Sequence, residues 1–210
     1  WREKDYSKFN VGISKIEQRF KEKILFLLKE EGEVVGYLAR SKKSKEWHKN
    51  NLKKSKLGLE PLVLRYDNSK DTEFERVVGG IDDVIEGETK TVIVVEGIMD
   101  KQNTDKVLQL DSSPEIRCVF MFGCHLSDVQ MYKLLKRGVE NVILMFDKET
   151  IQQTKDSSLK MLRFFNIFIS ELKEDTDPGE MSLEEFDSAL SKLIDPLDFF
   201  VNRINKVSLK

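Results

Sequence analysis

The segment that most constrains the fold is Thr91–Asp100, which reads TVIVVEGIMD. Its four consecutive apolar residues, Val92–Val95, are mostly β-branched, and this pattern is typical of a strand buried on both faces of a parallel sheet. The run stops at Glu96 and Gly97, and a glycine permits the sharp turn expected there. Because open α/β sheets bind ligands at the carboxyl ends of their strands, we expect Glu96 at a functional site. The alternative is that Glu96 is only a solvated loop residue.

Three further apolar runs follow this strand at regular intervals, and segments with helical patterning separate them. The runs are Cys118–Phe122, Val142–Phe146 and Ile167–Leu172. Sequences typical of helix-capping boxes begin three of the helical segments, at Ser127–Gln130, Thr150–Gln153 and Ser182–Glu185. Strands that alternate with helices at this spacing predict βαβ units and a parallel sheet.

The amino-terminal part of the chain has a different pattern. Helical spacing of its apolar residues predicts a helix over Ile13–Phe20. Two apolar runs, Lys23–Lys29 and Val34–Ala39, flank the turn sequence Glu31–Glu33 and predict a β-hairpin. Leu62–Tyr66 is expected to form another short strand.

Together these patterns predict an α/β protein with three parts. We expect an α+β amino-terminal subdomain over residues 1–88 and a parallel sheet flanked by helices over residues 89–180. Residues 181–210 are expected to form a helical tail that Pro196 interrupts.

Composition is typical of a soluble globular protein, because 40% of the residues are hydrophobic and 34% are charged. No apolar run approaches the ~20 residues that cross a bilayer, so we expect no membrane partner. The two cysteines, Cys118 and Cys124, provide no disulfide framework, and this favours a reducing compartment. We expect both to serve packing.

A basic run stands out in a chain whose formal net charge is only −2. Residues 40–56 read RSKKSKEWHKNNLKKSK, in which Glu46 is the only acid and Trp47 lies among the cations. Clustered cations attract phosphates, and an exposed tryptophan can stack on a base. The alternative, which the run by itself favours, is a flexible, solvated loop.

Acidic residues follow the predicted strands. Glu96 follows the first strand, Asp147 and Glu149 follow the third, and Asp177 follows the fourth. Because parallel strands end at one edge of the sheet, these carboxylates can converge, and such a cluster suits Mg²⁺ bound to a substrate phosphate. Alternatively, Asp147 only caps the next helix and Asp177 is only a turn residue before a proline.

With these residues in place, the chain resembles the RNA-polymerase core of DnaG-type DNA primases of bacteria and phages, which contains a Toprim domain. Glu96-Gly97 and Asp147-Lys148-Glu149 are similar to the Glu-Gly and Asp-x-Asp motifs of that domain. Glu96 to Asp100 matches the Glu-Gly-x-x-Asp form found in primases. Asp177-Pro178 with Glu180 is similar to the Asp-Pro-Asp element.

The resemblance extends upstream and covers about residues 9–180. RYDNSKDTEFER, at residues 65–76, is similar to the basic motif of primases, and residues 18–40 are similar to the segment that precedes it. Three kinds of departure are visible. Glu149 replaces an aspartate, Gly179 stands where the second aspartate of Asp-Pro-Asp is expected, and Arg65 and Arg76 replace lysines.

The resemblance implies template-directed synthesis of RNA primers from NTPs on single-stranded DNA, with Mg²⁺ or Mn²⁺ as cofactor, in the cytoplasm of a bacterial or phage-infected cell. A replicative helicase is a possible further partner. The implied catalytic residues are Glu96, Asp147 and Glu149, and the implied metal ligands are these three with Asp177. The implied nucleotide- and template-binding residues are Arg40, Arg65, Asn68, Lys70, Arg76 and Lys101. For Lys101, a solvated helix face is the alternative that we favour.

Two other functions stay open. A metal-dependent nuclease with a Toprim domain uses a similar acidic cluster to cut DNA, although the segment at residues 65–74 argues against it. The second is a catalytically inactive module that binds DNA or a helicase, and the changes at Glu149 and Gly179 favour it.

Overall fold

The computed structural model describes residues 11–14, 17–123, 126–146, 150–173 and 176–198. The chain divides into two compact units, Trp1–Thr72 and Glu73–Lys210. Both units combine sheet and helix, so the α/β fold class expected from the sequence is confirmed. The boundary lies after Thr72 rather than after residue 88, because Val78, Ile81 and Val84 are buried in the core of the second unit.

The sheet of the first unit is antiparallel, with its described strands in the order β1-β2-β3. They are β1 (Val11–Gly12), β2 (Lys23–Glu30) and β3 (Glu33–Ser41). The predicted hairpin is confirmed, and its turn consists of Glu31 and Gly32, which both have positive φ (54° and 81°). Positive φ at both positions matches the twist of the flanking strands. The predicted helix over Ile13–Phe20 is wrong, because only Gln18–Phe20 is helical in its described part, as a short 3-10 turn.

Residues 65–69 pair with the edge of β3 that faces away from β2. The backbone hydrogen bonds run from Ser41 N–H to Arg65 O (2.9 Å), from Asp67 N–H to Ala39 O (2.9 Å) and from Ser69 N–H to Tyr37 O (3.1 Å). Between them, Tyr66 lies opposite Arg40 as a β-bridge. The strand expected over Leu62–Tyr66 is therefore paired only at its last two residues, and the pairing continues to Ser69.

The basic run is largely a helix, so the solvated loop favoured from the sequence is wrong. This helix is α1 (Lys45–Lys56), and the hydroxyl of Ser44 caps it by accepting a first-turn N–H (3.1 Å). His48 and Asn51 are buried and hydrogen-bond the backbone of residues 61–63. The cap and these contacts stabilise a helix whose other side chains are mostly charged.

The second unit contains, within the described residues, a five-stranded sheet in the order β5-β4-β6-β7-β8. Its parallel strands are β4 (Thr91–Val95), β5 (Ile116–Phe120), β6 (Asn141–Leu144) and β7 (Asn166–Ser170). The helices of this unit are α2 (Ile98–Val107), α3 (Asp128–Lys136), α4 (Ile151–Met161) and α5 (Leu183–Leu190). The predicted alternation of strands and helices is confirmed.

The carboxy-terminal part of the chain departs from the expected continuous helix. β8 (Leu193–Ile194) follows α5 and pairs antiparallel with β7. The capping boxes predicted at Ser127 and Ser182 are confirmed at the starts of α3 and α5. Within the described residues, no helix is long and apolar enough to span a membrane.

The core of the second unit forms around β4. Val92–Val95 have no exposed surface, which confirms a strand buried on both faces. Cys118 on β5 is also fully buried, as its expected packing role requires, whereas Cys124 lies outside the described residues. Gly79 pairs with Phe120 through two backbone hydrogen bonds of 2.9 Å, so the segment that precedes β4 lies along the edge of β5.

Lys101 lies inside this unit, and the expected solvated helix face is wrong. Its side chain is 8% exposed, and its ammonium pairs with Asp105 (2.5 Å) and Asp83 (2.8 Å). Burial alone would lower the pKa of Lys101, but the charges of Asp105 and Asp83 outweigh burial and raise it. The ammonium is thus held in an internal ion pair rather than presented to a phosphate.

We predict that Lys101→Met destabilises the protein by about 3–5 kcal/mol, because it leaves the buried Asp105 carboxylate without its cation. Replacing both partners, as Lys101→Met with Asp105→Leu, should restore most of this loss. Urea unfolding of the two variants measures both effects. If the free energy of unfolding of Lys101→Met alone lay within about 0.5 kcal/mol of that of the natural protein, the structural role of the pair would be contradicted.

Asp67 binds residues 65–69, which we call the edge segment, to β2 and to the turn before it. Its carboxylate accepts hydrogen bonds from the guanidinium of Arg19 and from the ammonium of Lys23 (2.7 Å). Chiefly through the hydrogen bond from Arg19, these cations hold the pKa of Asp67 well below its ordinary value of 3.8. Because its pKa is lower in the folded protein, the ionised carboxylate stabilises the fold at pH values above its ordinary pKa. This stabilisation is lost as the pH falls through the lowered pKa.

We therefore predict that Asp67→Asn destabilises the first unit at pH 7. The difference in the free energy of unfolding between the variant and the natural protein should shrink as the pH falls below about 4. Tryptophan fluorescence during urea unfolding follows this unit, since the two tryptophans of the chain are Trp1 and Trp47. A difference that stays constant from pH 7 to pH 2 would show that the charge of Asp67 does not act in this way.

Candidate functional site

The candidate site lies where the strand order of the second unit reverses. β5 lies on one side of β4, and the chain then crosses to form β6 on the other side. Open α/β sheets bind ligands at the carboxyl edge of such a switch point. The register places Val94 beside Leu144 and Leu144 beside Ile169, so the loops that follow β4, β6 and β7 leave the sheet at one edge.

Glu96 follows β4 directly and is half-buried at this edge. Its Oε1 accepts a hydrogen bond of 3.0 Å from the hydroxyl of Thr150, which ends the loop after β6. Thr150 occupies the N-cap position of α4, but its side chain makes no capping hydrogen bond to that helix. The capping box predicted at Thr150 is therefore wrong, because the hydroxyl binds Glu96 instead. The same hydrogen bond joins the loops after β4 and β6.

Asp100 and Asp177 approach one another at Gly179. A Cβ placed on Gly179 would lie 3.0 Å from Oδ1 of Asp100 and 3.0 Å from Oδ1 of Asp177. Asp177 Oδ1 also accepts a hydrogen bond from the N–H of Gly179 (2.8 Å). Asp177 therefore acts as a turn residue before Pro178, the alternative considered from the sequence. The glycine thus leaves space between two carboxylates, one from the start of α2 and one from the loop after β7.

Two further contacts fix this arrangement. Asp100 Oδ2 accepts the N–H of Gly97 (2.9 Å), and the amide of Asn103 donates to the carbonyl oxygens of Pro178 and Met181 (both 2.9 Å). The chain bends at Glu96 and Gly97, as expected, and the backbone of Gly97 there is extended (φ −139°, ψ 169°). The start of α2 and the loop after β7 are thus held together by hydrogen bonds.

Asp147 and Glu149 lie outside the described residues, between the end of β6 and Thr150. Within the part of the chain that the structure describes, no group of three or more Asp, Glu, His or Cys residues is close enough to hold a metal ion. The described acids at this edge are Glu96, which is bonded to Thr150, and the pair of Asp100 and Asp177, whose carboxylates approach each other at Gly179.

The donor set at this edge is compatible with a hard divalent cation. Carboxylate oxygens are the ligands that Mg²⁺ and Mn²⁺ prefer, and a site with few protein ligands leaves room for water and substrate phosphates. Glu96 and Asp177 are the described residues of the set implied by the resemblance. Asp100 belongs to the Glu-Gly-x-x-Asp motif but was not assigned a role from the sequence, and its approach to Asp177 places it beside the site.

From the sequence, Thr150 was predicted only as a helix cap. Its position directly after Glu149 was the available hint, since a hydroxyl that follows a loop of acids can orient a neighbouring carboxylate. Asn103 lies in the interior of α2 with no local motif, and its two carbonyl partners are more than seventy residues away in sequence. Such contacts are set by tertiary structure.

The basic residues expected to bind nucleotide or template fall in both units. In the first unit, the guanidinium carbons of Arg40 and Arg65 lie 5.9 Å and 5.5 Å from the ring centre of Tyr66. Lys70 is exposed, and Asn68 has a buried Oδ1 without a hydrogen-bond partner. Arg65 and Asn68 therefore lie in the segment paired with β3, Lys70 follows that segment directly, and Arg40 lies on β3 opposite Tyr66.

Arg76 and Lys101 belong to the second unit. Arg76 is exposed and pairs with Glu73 at 3.2 Å, a surface ion pair that solvent weakens. Lys101 is buried in the ion pair described above. Arg76 is thus accessible to an anionic ligand, whereas Lys101 is not.

A cavity of about 480 Å³ lies in the first unit. Its wall combines the indole of Trp47 with Leu62, Val63 and Leu64, and its cations include Lys21 and Lys43. Arg19 and Lys23 also line it, but both pair with Asp67. The cavity is suited to an anion that carries an apolar or aromatic group.

Comparison with known proteins adds no family assignment. No protein-family model matches the chain, and no curated protein matches it.

We predict that Gly179→Ala weakens Mn²⁺ binding about tenfold, because a methyl group at this position presses on the carboxylates of Asp100 and Asp177. Isothermal titration calorimetry measures the affinity. Gly12→Ala is the matched control, since a Cβ at Gly12 meets no atom within 4 Å. Equal Mn²⁺ affinity for the Gly179 variant and the control would contradict a metal site beside Gly179.

Proposed function

We propose that the chain is the catalytic core of a DNA primase, which joins ribonucleotides on a single-stranded DNA template with Mg²⁺ or Mn²⁺ as cofactor. The observation that carries the proposal is the meeting of three loops at one edge of the sheet. Glu96 is hydrogen-bonded to Thr150, and Asp100 lies beside Asp177 at Gly179. The order and spacing of the primase-like motifs along the sequence support the same function.

The metal ligands in this proposal are Glu96 and Asp177 from the described residues, with Asp147 and Glu149 from the loop after β6. A divalent cation bound there supplies positive charge that stabilises the phosphoryl group during transfer. Asp100 lies close enough to Asp177 to contribute to the negative potential that attracts the cation.

The residues of the chain itself position this chemistry. The hydroxyl of Thr150 orients the Glu96 carboxylate, and the N–H of Gly179 orients Asp177. Side chains held by such hydrogen bonds lose little freedom when a ligand binds, which favours a defined geometry. A carboxylate beside the reacting phosphate also has the chemistry needed to accept a proton from an attacking hydroxyl.

The basic residues of the first unit provide the complementary charge for nucleic acid. Arg40, Arg65 and Lys70 are accessible in part or in full and lie on or beside the edge segment. Arginine binds phosphate through two parallel N–H groups, so Arg40 and Arg65 suit the phosphates of a nucleotide or template. Trp47 lines a cavity in the same unit, where it can stack on a base.

The test is an extension assay with single-stranded DNA and labelled NTPs. We predict that Glu96→Gln lowers RNA synthesis by at least about 100-fold while the protein remains folded, because the variant loses one charge at the metal site. Asp147→Asn should behave alike. Glu88→Gln is the matched control, since Glu88 is exposed and precedes the amino end of β4, at the opposite edge of the sheet. Full activity in the Glu96 variant would contradict this site.

The same gel separates the proposed function from the alternatives. Shortened DNA in place of extended RNA would identify a nuclease, in which water takes the place of the attacking 3′-hydroxyl. Absence of both products, together with no binding of Mg²⁺ or Mn²⁺, would identify a module that has kept the fold without its catalysis.

A further inference from the structure

Residues 62–69 of the first unit, which include the edge segment, have one side that is paired and one that is open. Its odd-numbered residues bond inward: Asn51 binds the N–H of Val63 (2.9 Å), and Arg65, Asp67 and Ser69 pair with β3. Backbone groups of successive residues in an extended chain point to opposite sides. The N–H and C=O groups of the even-numbered residues therefore point away from α1 and β3.

Leu62, Leu64 and Tyr66 form this second side, which we call the open edge. Within the part of the chain that the structure describes, the backbone N–H and C=O groups of Leu62 and Leu64 make no hydrogen bond. The side chains are also accessible, with exposed fractions of 50% for Leu62, 53% for Leu64 and 41% for Tyr66. An apolar strand with unpaired backbone groups is a template for another strand.

We propose that the open edge binds an acidic peptide in extended conformation, which adds a strand to the sheet of the first unit. Backbone hydrogen bonds to Leu62 and Leu64 would hold the peptide, and its apolar side chains would cover the two leucines. This interaction goes beyond the proposed primase function. It depends on contacts of the first unit alone, so it stands or falls independently of the acidic site.

The charge around the open edge selects an acidic partner. Residues 40–70 contain ten lysines and arginines but only three acids, in a chain whose net charge is −2. Arg40 and Arg65 lie against the ring of Tyr66 at the open edge itself. Among the three acids, Asp67 is already paired with Arg19 and Lys23, so it cancels little of the surrounding positive charge.

The same charge argues against a second copy of this chain as the partner. Antiparallel pairing of two open edges would bring the basic segment of one copy beside that of the other, and like charges placed opposite one another destabilise a strand pair. Nucleic acid, which we propose above binds Arg40 and Arg65 through its phosphates, matches the positive charge but not the unpaired backbone groups of the open edge. Its phosphates do not bury the exposed leucines, and it has no strand-like alternation of donors and acceptors to match the open backbone groups.

The probe is a blocked heptapeptide of alternating glutamate and valine, titrated into the full chain. We expect binding that weakens with added salt, because screening reduces the attraction between its carboxylates and the basic segment. Amide hydrogen exchange should slow at Leu62 and Leu64, whose N–H groups become bonded. The amide of Val63 should change little, because it is already bonded to Asn51.

Two controls separate strand addition from simple charge attraction. An analogue with N-methyl groups on the residues that face the open edge keeps every charge but loses two backbone donors, and it should bind about tenfold more weakly. In the protein, Leu64→Pro removes the N–H at the open edge and should weaken binding, whereas Leu64→Val keeps it and should not. If the proline variant does not fold, the N-methylated analogue still decides the question with the natural protein.

Three outcomes would overturn the proposal. These are equal affinity for the peptide and its N-methylated analogue, unchanged exchange at Leu62 and Leu64 in the saturated complex, and displacement of the peptide by single-stranded DNA that itself slows those two amides. The last outcome would assign the open edge to nucleic acid.

Discussion

The burial of β4 on both faces is the constraint on which the second unit depends. Val92–Val95 have no exposed surface, because β5 and β6 flank the strand and the core packs against it. A strand enclosed in this way has no place for charge until it leaves the sheet. Glu96 is the first charged residue after it, and because the strands are parallel, the loops after β6 and β7 leave the sheet at the same edge.

Local and periodic signals in the sequence were sufficient for the parallel strands and for two of the helix starts. The four parallel strands were predicted because each is a short apolar run, and the starts of α3 and α5 because Ser127 and Ser182 form capping boxes. The approach of the loops after β4 and β7 follows from parallel topology alone, since parallel strands end at one edge. The positions of Asp147 and Glu149 remain predictions.

The features that the sequence did not predict depend on contacts between distant residues. The helix α1 is stabilised by a cap and by the buried residues His48 and Asn51. Its many lysines instead favoured the prediction of a solvated loop. Lys101 read as a surface residue because its partners are only apparent once Asp83 and Asp105 lie beside it. Thr150 has the pattern of a helix cap, yet in the structure its hydroxyl donates to the carboxylate of Glu96, which directly follows β4.

The proposed function requires that acids from separate loops share one cation at the carboxyl edge of the sheet. Anomalous diffraction from crystals soaked in Mn²⁺ tests it most directly. We expect a peak bonded to a carboxylate oxygen of Glu96 and to an oxygen of at least one of Asp147, Glu149 and Asp177. Peaks found only elsewhere, or an electron density map that separates these carboxylates, would contradict it.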